Sequence, residues 1–285
     1  MEKPVIIVSG KNGQLGNELN DIANNYALFE FHFFDRTELD IANTEAINTA
    51  FEKFKPTYFI NTAAYTAVDK AEAEQEQAYL INAEATGNIA KACKAWSTKL
   101  IHVSTDYVFS GKGTKPYKED DATDPVNYYG YTKWIGEQLA LQNNPQTIVI
   151  RTSWVYSVYG NNFVKTMMRL MKDRTDINVV NDQYGSPTYA KDLAEAIIQI
   201  IVQNNFQPGI YHFSNSGEIN WHTFASAIKD AKHFNCNVHA IPSSQYPTPA
   251  KRPAYSVMSK EKIVNVYNIQ LKPWQQSLAA CLGKL

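Results

Sequence analysis

The chain has 285 residues, 44% hydrophobic and 19% charged, enough apolar side chain to close a sizeable core with no disulfide or metal staple. Its 27 Lys and Arg against 28 Asp and Glu leave a net charge of −1. Such a balance gives no general pull toward nucleic acid or anionic lipid, so neither is expected as a partner. Cys93, Cys236 and Cys281 form no CxxC pair and suit neither a zinc site nor a disulfide framework. Cys93 and Cys281 fall in helical patterns and read as small core residues. After Met1-Glu2-Lys3-Pro4 comes only the short apolar run Val5 to Val8, too short for a leader core, and no run approaches the ~18 residues of a membrane span. These features predict a soluble protein of a reducing compartment, most simply the cytoplasm.

Taken in chain order, short apolar runs alternate with segments of helical period. Val5-Ile6-Ile7-Val8 is followed by Leu15, Leu19, Ile22 and Ala23 on one helical face. Phe29 to Phe34 reads as a strand, about Thr44 to Phe54 as a helix and Tyr58 to Asn61 as a strand. A long helix is expected over about Gln77 to Trp96, then a strand at Leu100 to Ser104, a helix at about Tyr131 to Gln142 and a strand at Thr147 to Arg151. Strands apolar on both faces, alternating with helices, predict a doubly wound, Rossmann-like α/β fold with a parallel sheet.

Beyond Arg151 the rhythm loosens. A helix at about Asn162 to Asp173, a strand at Ile177 to Val180, a helix at Lys191 to Gln203 and a last sheet strand at Gly209 to Phe213 are expected. The four prolines between Pro242 and Pro253 break both ladders and predict a loop. The expected division is a dinucleotide-binding domain over 1–155 and about 182–215, with a smaller, interleaved α/β substrate lobe over about 156–181 and 216–285.

The first chemical signal is Gly10-Lys-Asn-Gly13-Gln-Leu-Gly16, between the first strand and the first helix. Glycines there allow a tight turn and close approach of backbone to a pyrophosphate, which meets the free N–H groups of the helix start. The spacing is GxxGxxG, so the general GxGxxG fingerprint is only partly met. Asp35 lies 19 residues past Gly16, where an acidic side chain takes ribose hydroxyls. Arg36 follows at once and could hold a ribose 2′-phosphate instead, which leaves NADH and NADPH both open. The small residues of Asn61-Thr-Ala63-Ala64-Tyr65 suit a dinucleotide at the carboxyl edge of the sheet.

The second signal is Tyr129 and Lys133, at i and i+4 on one face of a helix start. A free phenol is a poor acid–base group at neutral pH. A neighbouring ammonium is expected to lower its pKa and bring proton transfer within reach. The Thr105 hydroxyl, at a strand end, can stabilise negative charge growing on a carbonyl oxygen.

In these residues the chain resembles the extended short-chain dehydrogenase/reductase family. The stretches at 61–72, 104–109, 151–156, 160–167, 181–188 and 246–253 narrow the resemblance to its reductases of dTDP-linked 4-keto sugars, end to end. The resemblance implies Tyr129 as proton donor, Lys133 on the cofactor ribose and Thr105 with Asp106 on the sugar. It implies Trp154 in the substrate site and Arg252 near the nucleotide diphosphate. Either NADPH or NADH serves such enzymes, with Asn12, Gln14, Leu15, Asp40 and Ile41 joining the glycines on the cofactor. It also implies homodimers held partly by Mg2+ on glutamates, Glu18 matching one such position. Two alternatives share this fold. One is an epimerase or dehydratase, though a dehydratase would carry Asp-Glu where Asp106-Tyr107 stands. The other is a non-catalytic, NADP-binding regulatory subunit resembling the β subunit of methionine adenosyltransferase.

Overall fold

In the computed structural model, which describes residues 3–285, side chains of one short strand feed two cores at once. Met1 and Glu2, where the leader reading begins, lie outside the described residues. In β1 (Val5–Ser9), Ile6 and Val8 enter one core while Ile7 enters the other. Successive strand residues point to opposite faces, so a strand covered on both sides must be apolar throughout.

The sheet has six strands, all parallel: β2 (Glu30–Phe34), β1, β3 (Tyr58–Asn61), β4 (Lys99–Thr105), β5 (Thr147–Thr152) and the later β10 (Gly209–His212), in that spatial order. One face is covered by α1 (Gln14–Ala23) and α8 (Ala190–Val202). On the other lie α2 (Thr44–Phe54), α5 (Ala85–Ala95) and Ala140 of α6 (Tyr128–Asn143). Two short helices, α3 (Val68–Ala71) and α4 (Gln75–Tyr79), pack against α6.

The expected long helix of 77–96 is interrupted. A π-helical turn at Leu80–Glu84 joins α4 to α5, and it contains buried Asn82. The expected helix at 131–142 starts earlier, at Tyr128. Its N-cap Asn127 accepts the Gly130 N–H through Oδ1 at 2.8 Å, which sets Tyr129 in the first helical turn.

A second lobe gathers α7 (Phe163–Asp173), α9 (Trp221–Lys232) and α11 (Trp274–Leu282) around their own core, with Val164, Phe224 and Cys281 fully buried. Three two-stranded pairs complete it: β6 (Val155–Tyr156) with β9 (Thr188–Tyr189), β7 (Asp176–Val180) with β12 (Asn237–Ile241), and β8 (Tyr184–Gly185) with β11 (Ile219–Asn220). One segment departs from the expected division. The helix α10 (Glu261–Tyr267) returns to the sheet, burying Ile263, Tyr267 and Ile269 in the α1–α8 core. Gln199 of α8 and Gln203, its C-cap, both donate to the Tyr267 carbonyl.

Candidate active site

The carboxyl ends of the central strands open into a cleft of about 780 Å³. Every residue expected on the cofactor except Gly16 lines it, from Gly10, Asn12, Gly13, Gln14 and Leu15 through Asp35, Arg36, Asp40 and Ile41 to Ala63, Ala64, Tyr65, Tyr129 and Lys133. Gly16 acts one step removed. A Cβ there would stand 2.2 Å from the Gly10 carbonyl oxygen, so only glycine lets α1 seat against the turn. Gly10 has φ +82°, and a Cβ on it would meet Ala63 N at 2.8 Å. The helix α1 opens at Gly13 with no side-chain cap, leaving its first N–H groups to a ligand.

At the β2 end, Asp35 is held by its own turn. Its Oδ1 accepts from Thr37 N (2.8 Å), Thr37 Oγ1 (2.7 Å) and Glu38 N (3.2 Å), and Oδ2 accepts from Asn12 Nδ2 (3.2 Å). The Thr37 bonds foremost hold its carboxyl below the usual carboxylate range. Arg36 is exposed and makes no ion pair among the described residues. Ala63 to Tyr65 are pinned from behind by Asn82, whose side chain accepts from Tyr65 N (2.9 Å) and donates to Tyr65 O (3.1 Å) and Thr132 Oγ1 (3.0 Å). Sequence reasoning missed Asn82, because an asparagine inside a helical pattern carries no local signal of a bracket.

Tyr129 and Lys133 are both buried. Burial pushes the Tyr129 phenol up to about 12, against the hydrogen bond with Thr105 that favours its ionised form. The depression expected from Lys133 is not found; loss of water sets the direction. Burial also draws the Lys133 ammonium down to about 8. Lys133 Nζ donates to the Val103 carbonyl at 2.7 Å and lies 3.4 Å from His102 Nε2. Thr105 Oγ1 donates to Asp106 Oδ1 at 3.0 Å, and burial raises the Asp106 carboxyl to about 6. Ser104, which also lines the cleft, buries a hydroxyl with no protein partner. Together the orphan hydroxyl, the Gly10 cradle and the uncapped helix start fit a nicotinamide dinucleotide.

Three further residues implied by the resemblance do not line this cleft. Trp154, at φ +50°, stacks 3.5 Å from Trp221 with Gly185 beneath its ring, in the second lobe. Arg252 pairs with Asp69 at 2.8 Å instead of standing free for a diphosphate. Glu18 is fully buried and accepts from Ser157 Oγ at 2.5 Å. No group of three His, Cys, Asp or Glu side chains among the described residues of the single chain could hold a metal, and Glu18 spends one carboxylate oxygen on Ser157. No helix among the described residues is long and apolar enough to cross a membrane.

Residues 4–285 match the family model described as the RmlD substrate binding domain. The chain is 42% identical over 283 residues to a dTDP-4-dehydrorhamnose reductase of Aggregatibacter actinomycetemcomitans, with 96% of each covered. It is 39% identical over 292 residues to the enzyme of that name from Escherichia coli K12, covering 98% of this chain and 97% of the relative. Among solved structures, dTDP-4-dehydrorhamnose reductase from Bacillus anthracis in complex with NADP superposes with a TM-score of 0.95, at 37% identity over the whole of both chains. A Thermus thermophilus UDP-glucose 4-epimerase in complex with NAD, at 18% identity and a TM-score of 0.82, shares the fold.

Proposed function

The chain belongs to the RmlD substrate binding domain family, and from that membership and its cleft we propose that it reduces the C4 keto group of dTDP-4-dehydro-L-rhamnose to dTDP-L-rhamnose. The observation that carries this reading is the meeting, in one cleft, of the glycine turn with Tyr129 and Lys133. NADPH or NADH, when bound, supplies the hydride. Tyr129 gives its phenolic proton to the C4 oxygen as negative charge gathers there, and its high pKa keeps it protonated until that moment. Thr105 turns its one hydroxyl hydrogen from Asp106 and donates it to the same oxygen. Lys133, as ammonium, stabilises the phenolate left behind and holds the cofactor ribose.

The division of labour in this proposal gives the dinucleotide to the sheet domain and the sugar to the second lobe, with Asp106, Trp154 and Arg252 on the substrate side. The homodimer implied by the resemblance belongs to it too, as does a cytoplasmic site of action; sedimentation of the purified chain tests the dimer. The activity is tested by following NADPH absorbance with dTDP-4-dehydro-L-rhamnose and with other 4-keto nucleotide sugars. Consumption with the rhamnose precursor is expected. Consumption only with another sugar overturns the substrate assignment, and NAD retained through purification would favour an epimerase.

A further inference from the structure

Lys11, the residue after Gly10 in the turn, does not face the cleft as a free cation. Its Nζ donates to Glu38 Oε1 at 2.6 Å and to Oε2 as well, while Asp35 Oδ2 lies 3.8 Å away. Glu38 is fixed in that position, since its Oε2 also accepts the Asp35 backbone N–H at 2.9 Å. Two cations beside Asp35 therefore differ in state: Arg36, its neighbour in the chain, has no ion-pair partner among the described residues, and Lys11 is already neutralised. We propose that Glu38 sets the balance between NADPH and NADH by competing, as an internal carboxylate, with the 2′-phosphate of NADPH for Lys11.

The inference rests on the reading that this cleft holds a nicotinamide dinucleotide. Its chemistry is competition between anions for one ammonium. A 2′-phosphate carries nearly two negative charges and three acceptor oxygens, and a 2′-hydroxyl carries none. To recruit Lys11, the phosphate must first displace Glu38, so part of its advantage over the hydroxyl is lost. Asp35, with Oδ2 lightly held by Asn12, stays available to the ribose hydroxyls of NADH. One site thus accepts both cofactors with limited discrimination. Arg36 contributes the phosphate contact that needs no displacement.

The test is a double-mutant cycle read as dissociation constants of NADPH and NADH, by quenching of protein fluorescence in the full chain. Glu38→Gln removes the charge but keeps an acceptor for the Asp35 N–H, and it lies on the surface, where folding is unaffected. It is expected to tighten NADPH about tenfold, the scale of a freed charge-assisted contact, while NADH stays within about twofold. Lys11→Met alone should change NADPH little. In the Lys11→Met background, Glu38→Gln should lose most of its gain, and raised salt should shrink the gain in the single variant. Equal tightening of both cofactors overturns the proposal, as does a gain that survives Lys11→Met. If the unaltered chain binds neither dinucleotide, the parent reading fails and takes this one with it; if it binds both and Glu38→Gln leaves their ratio unmoved, only the competition fails.

Discussion

Lys133 Nζ lies 3.4 Å from His102 Nε2, and both side chains are buried. His102 is in turn 3.2 Å from Asn61 Nδ2, and Ser9 Oγ donates to Asn61 Oδ1 at 2.8 Å, so a buried polar chain runs from the lysine across β4, β3 and β1 to the residue before the glycine turn. Burial and the nearby ammonium together hold His102 well below its usual range, so the ring is neutral. A neutral ring sets no opposing charge beside the lysine. With the Val103 carbonyl taking another N–H, one face of the ammonium is occupied by protein and the remainder is left to the cleft.

This arrangement has a pH signature. Folding moves the Lys133 pKa from 10.5 down to about 8. Between those values the unfolded chain binds the extra proton, so stability rises with pH through that window and is flat on this account below it. Glu137 on the same helix works against the depression, and it is already committed to Arg151 of β5. Urea titrations of the cofactor-free chain at several pH values across the window are expected to show the rise. In Lys133→Met the rise should disappear and neutral-pH stability should hold or increase, while turnover and cofactor affinity both fall. A Lys133→Met chain that keeps the same slope assigns it to another group.

The Arg151–Glu137 pair makes a different prediction. Its guanidinium donates to the carboxylate at 2.7, 3.0 and 3.2 Å, with both side chains out of water, and lies 5.0 Å from the centre of the Phe109 ring. Removing one member leaves the other charge buried and alone, which costs about 3–5 kcal/mol. Glu137→Ala should lower the urea midpoint accordingly. Replacing both residues with apolar ones of similar size should recover much of the loss. A single variant costing under about 1 kcal/mol would mean that water already reaches the site.

The glycine turn separates two positions that look alike in sequence. A Cβ at Gly13 would stand 3.2 Å from the Gly10 carbonyl, a contact that a small shift relieves, whereas at Gly16 it would stand 2.2 Å from the same oxygen. Gly13→Ala should therefore keep its stability, and Gly16→Ala should lose about 1–3 kcal/mol as α1 is pushed off the turn. Thermal melts compare them directly. Gly13→Val should weaken NADPH and NADH together, because its branch intrudes where the pyrophosphate meets the backbone.

Arg36→Ala probes the free cation at the same site. Without the guanidinium, NADPH should weaken by about tenfold to a hundredfold while NADH changes little, since only the 2′-phosphate offers a bidentate anionic partner. Isothermal titration with each cofactor checks it, and equal losses would make Arg36 a bystander.

Much of this architecture was legible from hydrophobic period. The runs at Val5 and Tyr58 are apolar on both faces, and the strands at Val5–Ser9 and Tyr58–Asn61 lie where that pattern puts them. The π-helical turn at Leu80–Glu84 was not legible. Its cause is tertiary: Asn82 reaches the Tyr65 backbone from a helix that must widen to let it. The return of α10 to the sheet was missed because Ile263 and Tyr267 make a short apolar face that either lobe could bury. Arg252 was expected near a diphosphate, and its partner Asp69 is 183 residues away in sequence. The Tyr129 phenol lies above its ordinary value, where the spacing to Lys133 predicts a fall, because spacing on a helix says nothing about water, and burial dominates both groups.

The chemistry itself turns on Tyr129. Its ring packs edge-on against Tyr107 at 5.7 Å, and burial holds the phenol protonated far above neutral pH, as a proton donor requires. Tyr129→Phe keeps that ring and its packing and deletes the one hydrogen the reduction needs. The variant should fold normally, bind NADPH with near-normal affinity and lose about 10²–10⁴-fold in turnover, the usual worth of a positioned acid. Thr105→Val should lose less, because it removes a hydrogen bond to the developing charge and leaves the proton source in place; it should also raise the Tyr129 pKa further, since the Thr105 bond favours the phenolate. The two are compared by steady-state turnover with the keto sugar across pH, together with NADPH binding to show that the site is intact. If Tyr129→Phe retains near-normal turnover while Thr105→Val does not, the acid is another group, with Asp106, raised to about 6 and bonded to Thr105, the next to replace.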